Sequence, residues 1–250
     1  MRLYILAAGT ALALACNSSP TAPSSTNSTS ATTTTTTTAA TGTDLRALYA
    51  QFQAAVTVDL GATTVTLRSS GLPDHASPYW ATTNPLYEAP HAGMQLAPNR
   101  IASQALSLQV PLTPTLASAT DTPMGPMGMA INGVAIFNQY AAGRSPLTNE
   151  ILTFDRFNGH PQQTGQYHYH VEPLWLTSNR GADSLIGVLL DGFPVYGPRE
   201  AGGGPPADLD SCNGHAHATR EVPAGVYHYH VVSAPPYMSG CFRGQPGRLG

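Results

Sequence analysis

Apolar and polar positions alternate over short stretches along most of this chain. Only one stretch has helical spacing. In TDLRALYAQFQAAV, Leu45, Leu48, Tyr49 and Phe52 fall at i, i+3, i+4 and i+7. That spacing predicts one short amphipathic helix, capped by Thr43 or Asp44. Elsewhere the period is nearer two. VTVDL (56–60), TTVTLRSS (63–70) and IASQALSLQVPLTP (101–114) are β-branched or loosely alternating, so they predict strands. Residues 70–98 are broken by Pro and Gly and read as loop.

The second half of the chain repeats itself. GMAINGVAIF (128–137) aligns with GVLLDGFPVY (187–196), DRFNGH (155–160) with DSCNGH (210–215), and YHYH at 167–170 with YHYH at 227–230. Asn132-Gly133 and Asp191-Gly192 read as two-residue hairpin turns with positive φ at both central positions. Each copy is then a hairpin, a connector, an Asn-Gly-His turn and a YHYH strand. The half-units run over about 128–173 and 187–233. The expectation is a mainly β single domain, internally duplicated about a pseudo-twofold, with one short N-terminal helix.

Composition narrows the functional classes. Charged residues make up 10% and the net charge is −3; every one of the eleven basic residues is Arg, scattered along the chain. Nucleic-acid binding needs a clustered basic face, so none is expected. With 24 Gly and 22 Pro, turns are many and long helices few.

Residues 1–15 carry Arg2 and a short apolar run. The run is too short to span a bilayer and reads as a secretory signal peptide. ALAC resembles a lipobox that makes Cys16 the lipidated first residue; an ordinary cleavage nearby gives the same export. Residues 16–42 are a Ser/Thr-rich stretch without apolar periodicity, expected to be a disordered tether. The domain then spans 43–250, attached to a membrane of the cell envelope, periplasmic or at the cell surface. In that oxidising setting Cys212 and Cys241 pair with each other, or one of them serves as a soft metal ligand.

Six of nine histidines recur at equivalent places: His160, His168 and His170 in the first copy, His215, His228 and His230 in the second. Residues i and i+2 of a strand share a face, about 6.5–7 Å apart. His168 and His170 therefore point one way, Tyr167 and Tyr169 the other, and the second copy does the same. The upstream His160 and His215 can swing in as third ligands. Three imidazoles with an open position make a familiar transition-metal site. A Tyr/His strand also suits plain packing, but packing does not demand an imidazole at all six places. His217 has no partner in the first copy and is expected to be solvated. Asp155 and Asp210 either orient a ligand imidazole through its second nitrogen or cap their turns. Met124, Met127 and Met129 are either a thioether cluster for Cu(I) or core filler. Two mononuclear sites and one shared six-imidazole cavity both fit the spacing.

The words SGLPDH (70–75), INGVAIFN, FNGHPQQTGQYHYHVEP, GVLLDGFPVYGP, LDSCNGH and YHYHVVSAPPYMSGCFRG occur in this order. They resemble the YHYH-domain family of exported bacterial proteins over most of residues 56–244. The resemblance implies a domain of that extent, adds His75 as a further candidate ligand, and implies a structural pair for Cys212 and Cys241. It names no reaction. The expected function is transition-metal binding in the cell envelope, with copper ahead of zinc because its affinity for such donors is greater. One rival is a metalloenzyme with a three-His site open to a small-molecule substrate, running copper redox or zinc-dependent hydrolysis or hydration. The other is a structural surface module without metal.

Overall fold

The computed structural model describes residues 42–250. The expected signal peptide, lipidated Cys16 and all but the last residue of the tether lie outside the described residues. In chain order the strands are β1 (Val56–Leu60), β2 (Thr64–Ser69), β3 (Leu106–Pro111), β4 (Thr120–Asp121), β5 (Pro126–Ala130) and β6 (Ala135–Phe137). Then come β7 (Tyr140–Ala141), β8 (Ser145–Pro146), β9 (Gly159–Pro161), β10 (Tyr167–Tyr169), β11 (Leu185–Leu189) and β12 (Pro194–Tyr196). The last four are β13 (Gly214–His217), β14 (Val226–His230), β15 (Cys241–Phe242) and β16 (Arg248–Leu249). The fold is mainly β, as the alternation predicts.

Two sheets carry the core. The first has the order β1-β2-β3-β16 and is antiparallel throughout. Its two central strands bury alternate residues, Val65 and Leu67 on β2 and Leu106, Leu108 and Val110 on β3. The second has eight strands in the order β13-β14-β12-β11-β5-β6-β10-β9. Its central β11 is buried at every position, as expected of a strand covered on both faces. A single apolar cluster joins the sheets, with Leu67 and Leu108 from one and Met129, Ile136 and Val188 from the other. Met127 and Met129 are fully buried filler on β5, whereas Met124 is exposed.

The eight-stranded sheet reads alike from its centre to either edge. Hairpin β5–β6 pairs in parallel with β10, which pairs antiparallel with β9. Hairpin β11–β12 pairs in parallel with β14, which pairs antiparallel with β13. At the centre the register is reciprocal: Gly128 faces Leu189, Met129 faces Val188, and Ala130 faces Gly187. Both copies begin with glycine for one reason. A Cβ on Gly128 would run into the Val188 carbonyl, and one on Gly187 into the Met129 carbonyl.

Three local expectations change. The hairpins turn through three residues, not two. Gly133 donates to the Ala130 carbonyl (2.8 Å) and Gly192 to the Leu189 carbonyl (2.9 Å). Only Gly133 (φ 86°) and Gly192 (φ 85°) take positive φ; Asn132 and Asp191 do not. This is the pattern of a tight turn closed by a left-handed glycine. It frees the Asn132 and Asp191 side chains for other bonds. The N-terminal helix is a 3₁₀ helix, Arg46–Gln51, seating Leu48 and Tyr49. An α-helix not foreseen from sequence, α1 (Leu174–Arg180), is too short to show a periodicity; Pro173 and Gly181 flank it.

Candidate metal centres

Each half builds its site from the Asn-Gly-His turn. Asp155 Oδ1 accepts from the backbone of Phe157 (2.9 Å) and Gly159 (3.3 Å); Asp210 Oδ1 accepts from Cys212 (2.8 Å) and Gly214 (3.1 Å). The following Asn158 and Asn213 both take φ 65°, the left-handed conformation that asparagine tolerates. The glycine comes next because the first tyrosine of YHYH lies across it. A Cβ on Gly159 or Gly214 would collide with the Tyr167 or Tyr227 ring. The two tyrosine hydroxyls then donate back to Asp155 (2.7 Å) and Asp210 (3.0 Å). So both aspartates cap turns and hold tyrosines, and their hydrogen bonds go to no imidazole.

The second tyrosine of each word reaches toward the hairpin turn. Tyr169 accepts from Asn132 Nδ2 (3.2 Å), and Tyr229 donates to Asp191, which also accepts from the Arg243 and Gly244 backbone. Burial lifts the Asp191 carboxyl to about 6, against those donors that oppose the rise.

The opposite face of each YHYH strand carries the histidines. His168 Nδ1 donates to the Gln166 carbonyl and His170 Nδ1 to the Asn138 carbonyl. His160 Nδ1 lies 2.7 Å from Thr153 Oγ1, whose proton is committed to the Glu150 carbonyl (2.7 Å). The hydroxyl must therefore accept from His160. All three Nδ1 atoms being protonated, all three Nε2 atoms present lone pairs. Yet His160 Nε2 is 3.1 Å from His168 Nε2, which is 2.9 Å from His170 Nε2. Glu150 Oε1 completes the group at 3.2 Å from His160 Nε2 and 3.8 Å from His170 Nε2.

The second half repeats this with one more donor. Nδ1 of His215, His217, His228 and His230 donates to the carbonyls of Ala207, Ala218, Val226 and Gly197. Asn138 and Gly197, which hold the last histidine of each word, are equivalent positions just past β6 and β12. Glu200 Oε1 sits 3.2 Å from His215 Nε2, 3.3 Å from His217 Nε2 and 3.4 Å from His230 Nε2. The Nε2 atoms of His215 and His230 are buried without any hydrogen-bond partner.

Converging lone pairs repel one another, and an unsatisfied buried polar atom costs about 1–3 kcal/mol. Protonation is a poor remedy. Burial, then the neighbouring His160 and His170, hold His168 well below the usual imidazole range. Burial takes His170 down to about 4 and His228 to about 3. A cation relieves the conflict. Donors bound to one ion at about 2.0–2.1 Å stand roughly 2.9–4.2 Å apart, which matches the spacings above. Within each group the donor atoms lie within 4.8 Å of one another. Carbonyl-anchored Nδ1 atoms are also how metal-bound imidazoles are commonly oriented. Glu150–His160–His168–His170 and Glu200–His215–His217–His228–His230 are thus two groups that could hold a metal ion.

All six duplicated histidines are brought together, three by three, at opposite ends of the sheet. Four strands separate β10 from β14, so a shared cavity is ruled out. His217, expected to be solvated, keeps 42% of its side chain exposed yet turns Nε2 into the second group. His75 lies elsewhere. It sits among Tyr167, Tyr169, Phe157 and Trp175 on the tyrosine face. Its Nδ1 donates to the Ala76 carbonyl and its Nε2 meets the Tyr169 hydroxyl at 3.1 Å. Both nitrogens are engaged, and burial lowers its pKa. Cys212 and Cys241 form a disulfide and are no ligands. Glu150 and Glu200 were missed from sequence, because neither belongs to a repeated word. They precede their Asn-Gly-His histidines by different distances.

The domain is mainly β, with a histidine–glutamate cluster near each end of its eight-stranded sheet. The sequence profile of the family described as YHYH protein matches residues 107–204 and 200–244, and the chain belongs to that family. No curated protein and no solved structure matches it.

Proposed function

We propose that this protein binds two transition-metal ions, one in each half, as an exported, lipid-anchored protein of the cell envelope. One observation carries the reading. Seven imidazoles have Nδ1 committed to an acceptor, so their Nε2 lone pairs face inward beside a glutamate in two separate groups. Nitrogen-rich donor sets of this kind favour copper, with zinc next. The reciprocal register at the sheet centre supports a duplication about a local twofold. Export is supported by the leader-like residues 1–15 and by the disulfide, which persists in oxidising compartments. The cleft beside the first group favours a second reading, a metalloenzyme. Elemental analysis of untagged protein purified without chelators tests the proposal. Two copper or zinc ions per chain are expected; no stoichiometric metal, even after back-titration, leaves the structural module as the answer.

A further inference from the structure

The two groups differ in donor count and in the space beside them. The first offers four donors and the second five. The difference comes from one aligned position. His217 lies two residues beyond His215, and the residue two beyond His160 is Gln162. His217 turns inward, whereas the Gln162 amide donates to Gln166 Oε1 at 2.8 Å. Gln162 also lines a cleft of ≈ 370 Å³ shared with Met124, Tyr140, Glu150, His168 and His170. Three of the four donors therefore border open space. Beside the second group the free space is only ≈ 20 Å³, bordered by Tyr196, Arg199, Glu200, His217, His228 and His230, and that is room for about one water.

We infer that the halves have divided their labour: the Glu150–His160–His168–His170 centre takes a small anionic ligand from the cleft directly onto its metal, while the five-donor centre, with His217 as its extra imidazole, fills its ion's positions with protein donors. The inference rests on the metal-binding reading. Four protein donors leave a position on a five- or six-coordinate ion, and the cleft gives an external donor access to it. Five donors fill a five-coordinate ion, and the ≈ 20 Å³ beside them is too small for a further ligand of azide's size. The ligand class is a compact anion binding through oxygen or nitrogen.

Azide is the probe. His228→Ala/His230→Ala isolates the first centre and His168→Ala/His170→Ala the second, each loaded with one equivalent of Cu(II) and checked by elemental analysis. Azide should give a saturable azide-to-copper charge-transfer band in the first protein and none in the second over the same range. Gln162→His, which supplies the fifth donor, should abolish the band while copper stays bound. Should either double variant fail to fold, the intact chain with two coppers serves. There azide should shift about half of the EPR signal, and Gln162→His should remove that response. Copper bound with both centres responding alike, or neither, overturns the division of labour and leaves metal binding intact. Failure to bind copper at all overturns both.

Discussion

In the first half, the Asn-Gly-His turn is held by packing. Phe157 meets His75 edge-on at 4.6 Å between ring centres and Trp175 at 5.2 Å. In the second half the same position is Cys212, tied to Cys241. Around these different fastenings the inner frame is the same: capping aspartate, left-handed asparagine, glycine beneath a tyrosine ring, and YHYH imidazoles oriented by carbonyls. Aiming several lone pairs at one point requires every ring to be fixed, and the frame does that. How the turn is anchored to the rest of the fold can vary. So can the donors outside the frame: Glu150 sits on the 3₁₀ helix Glu150–Thr153, Glu200 on a loop after β12, and the fourth imidazole occurs only once.

Metal removal should give the largest effect. An ion that binds only the folded state adds about 4 kcal/mol at a thousandfold excess over its Kd. Chelation should therefore lower the melting temperature sharply, and each half should lose its own ion independently. Strictly coupled loss would break the comparison, because the groups share no ligand. Next comes the disulfide. Cys212→Ser/Cys241→Ser should cost about 2–4 kcal/mol and weaken metal binding in the second half alone, as read by calorimetric titration. Equal weakening of both halves would mean that Phe157 and Cys212 are not separate anchors. Smaller again are Gly159→Ala and Gly214→Ala, which force the Tyr167 or Tyr227 ring to move. Each should cost about 1–3 kcal/mol by chemical denaturation. Here the halves should agree, since the frame is common to both.

The smallest effect is a difference in pH dependence between the hairpin turns. The Asp191 carboxyl is raised from 3.8 to about 6 in the folded protein. The folded state thus binds the proton more tightly than the unfolded state. Stability linked to Asp191 is full below about 3.8 and declines as pH rises through about 6. The equivalent Asn132 cannot titrate. Asp191→Asn should flatten that part of the stability–pH curve, and an unchanged slope would assign it to another group.

Much of the frame was legible in the chain. The YHYH spacing separates tyrosines from histidines because a strand alternates its faces, and the repeated words mark the turns. The two glutamates were not legible: they are brought in by a 3₁₀ helix and a loop of unequal length, so no spacing is conserved between the copies. His217 is hard to read from sequence for a related reason. Its counterpart Gln162 is not an imidazole, and only the β13–β14 register shows that the residue beyond His215 returns to the same group. Asn-Gly and Asp-Gly suit a two-residue loop, so the sequence points to the shorter hairpin turn. The deciding contacts are the Asn132 and Asp191 side chains, which are engaged by the tyrosines of distant strands.

The central claim is two separate ions on one sheet. Pulsed EPR on the dicopper protein measures their separation directly. Five strand spacings lie between β14 and β10, so the account predicts a copper–copper distance of roughly 20–30 Å. A single ion per chain, or two coppers within about 10 Å coupled as one centre, would contradict it.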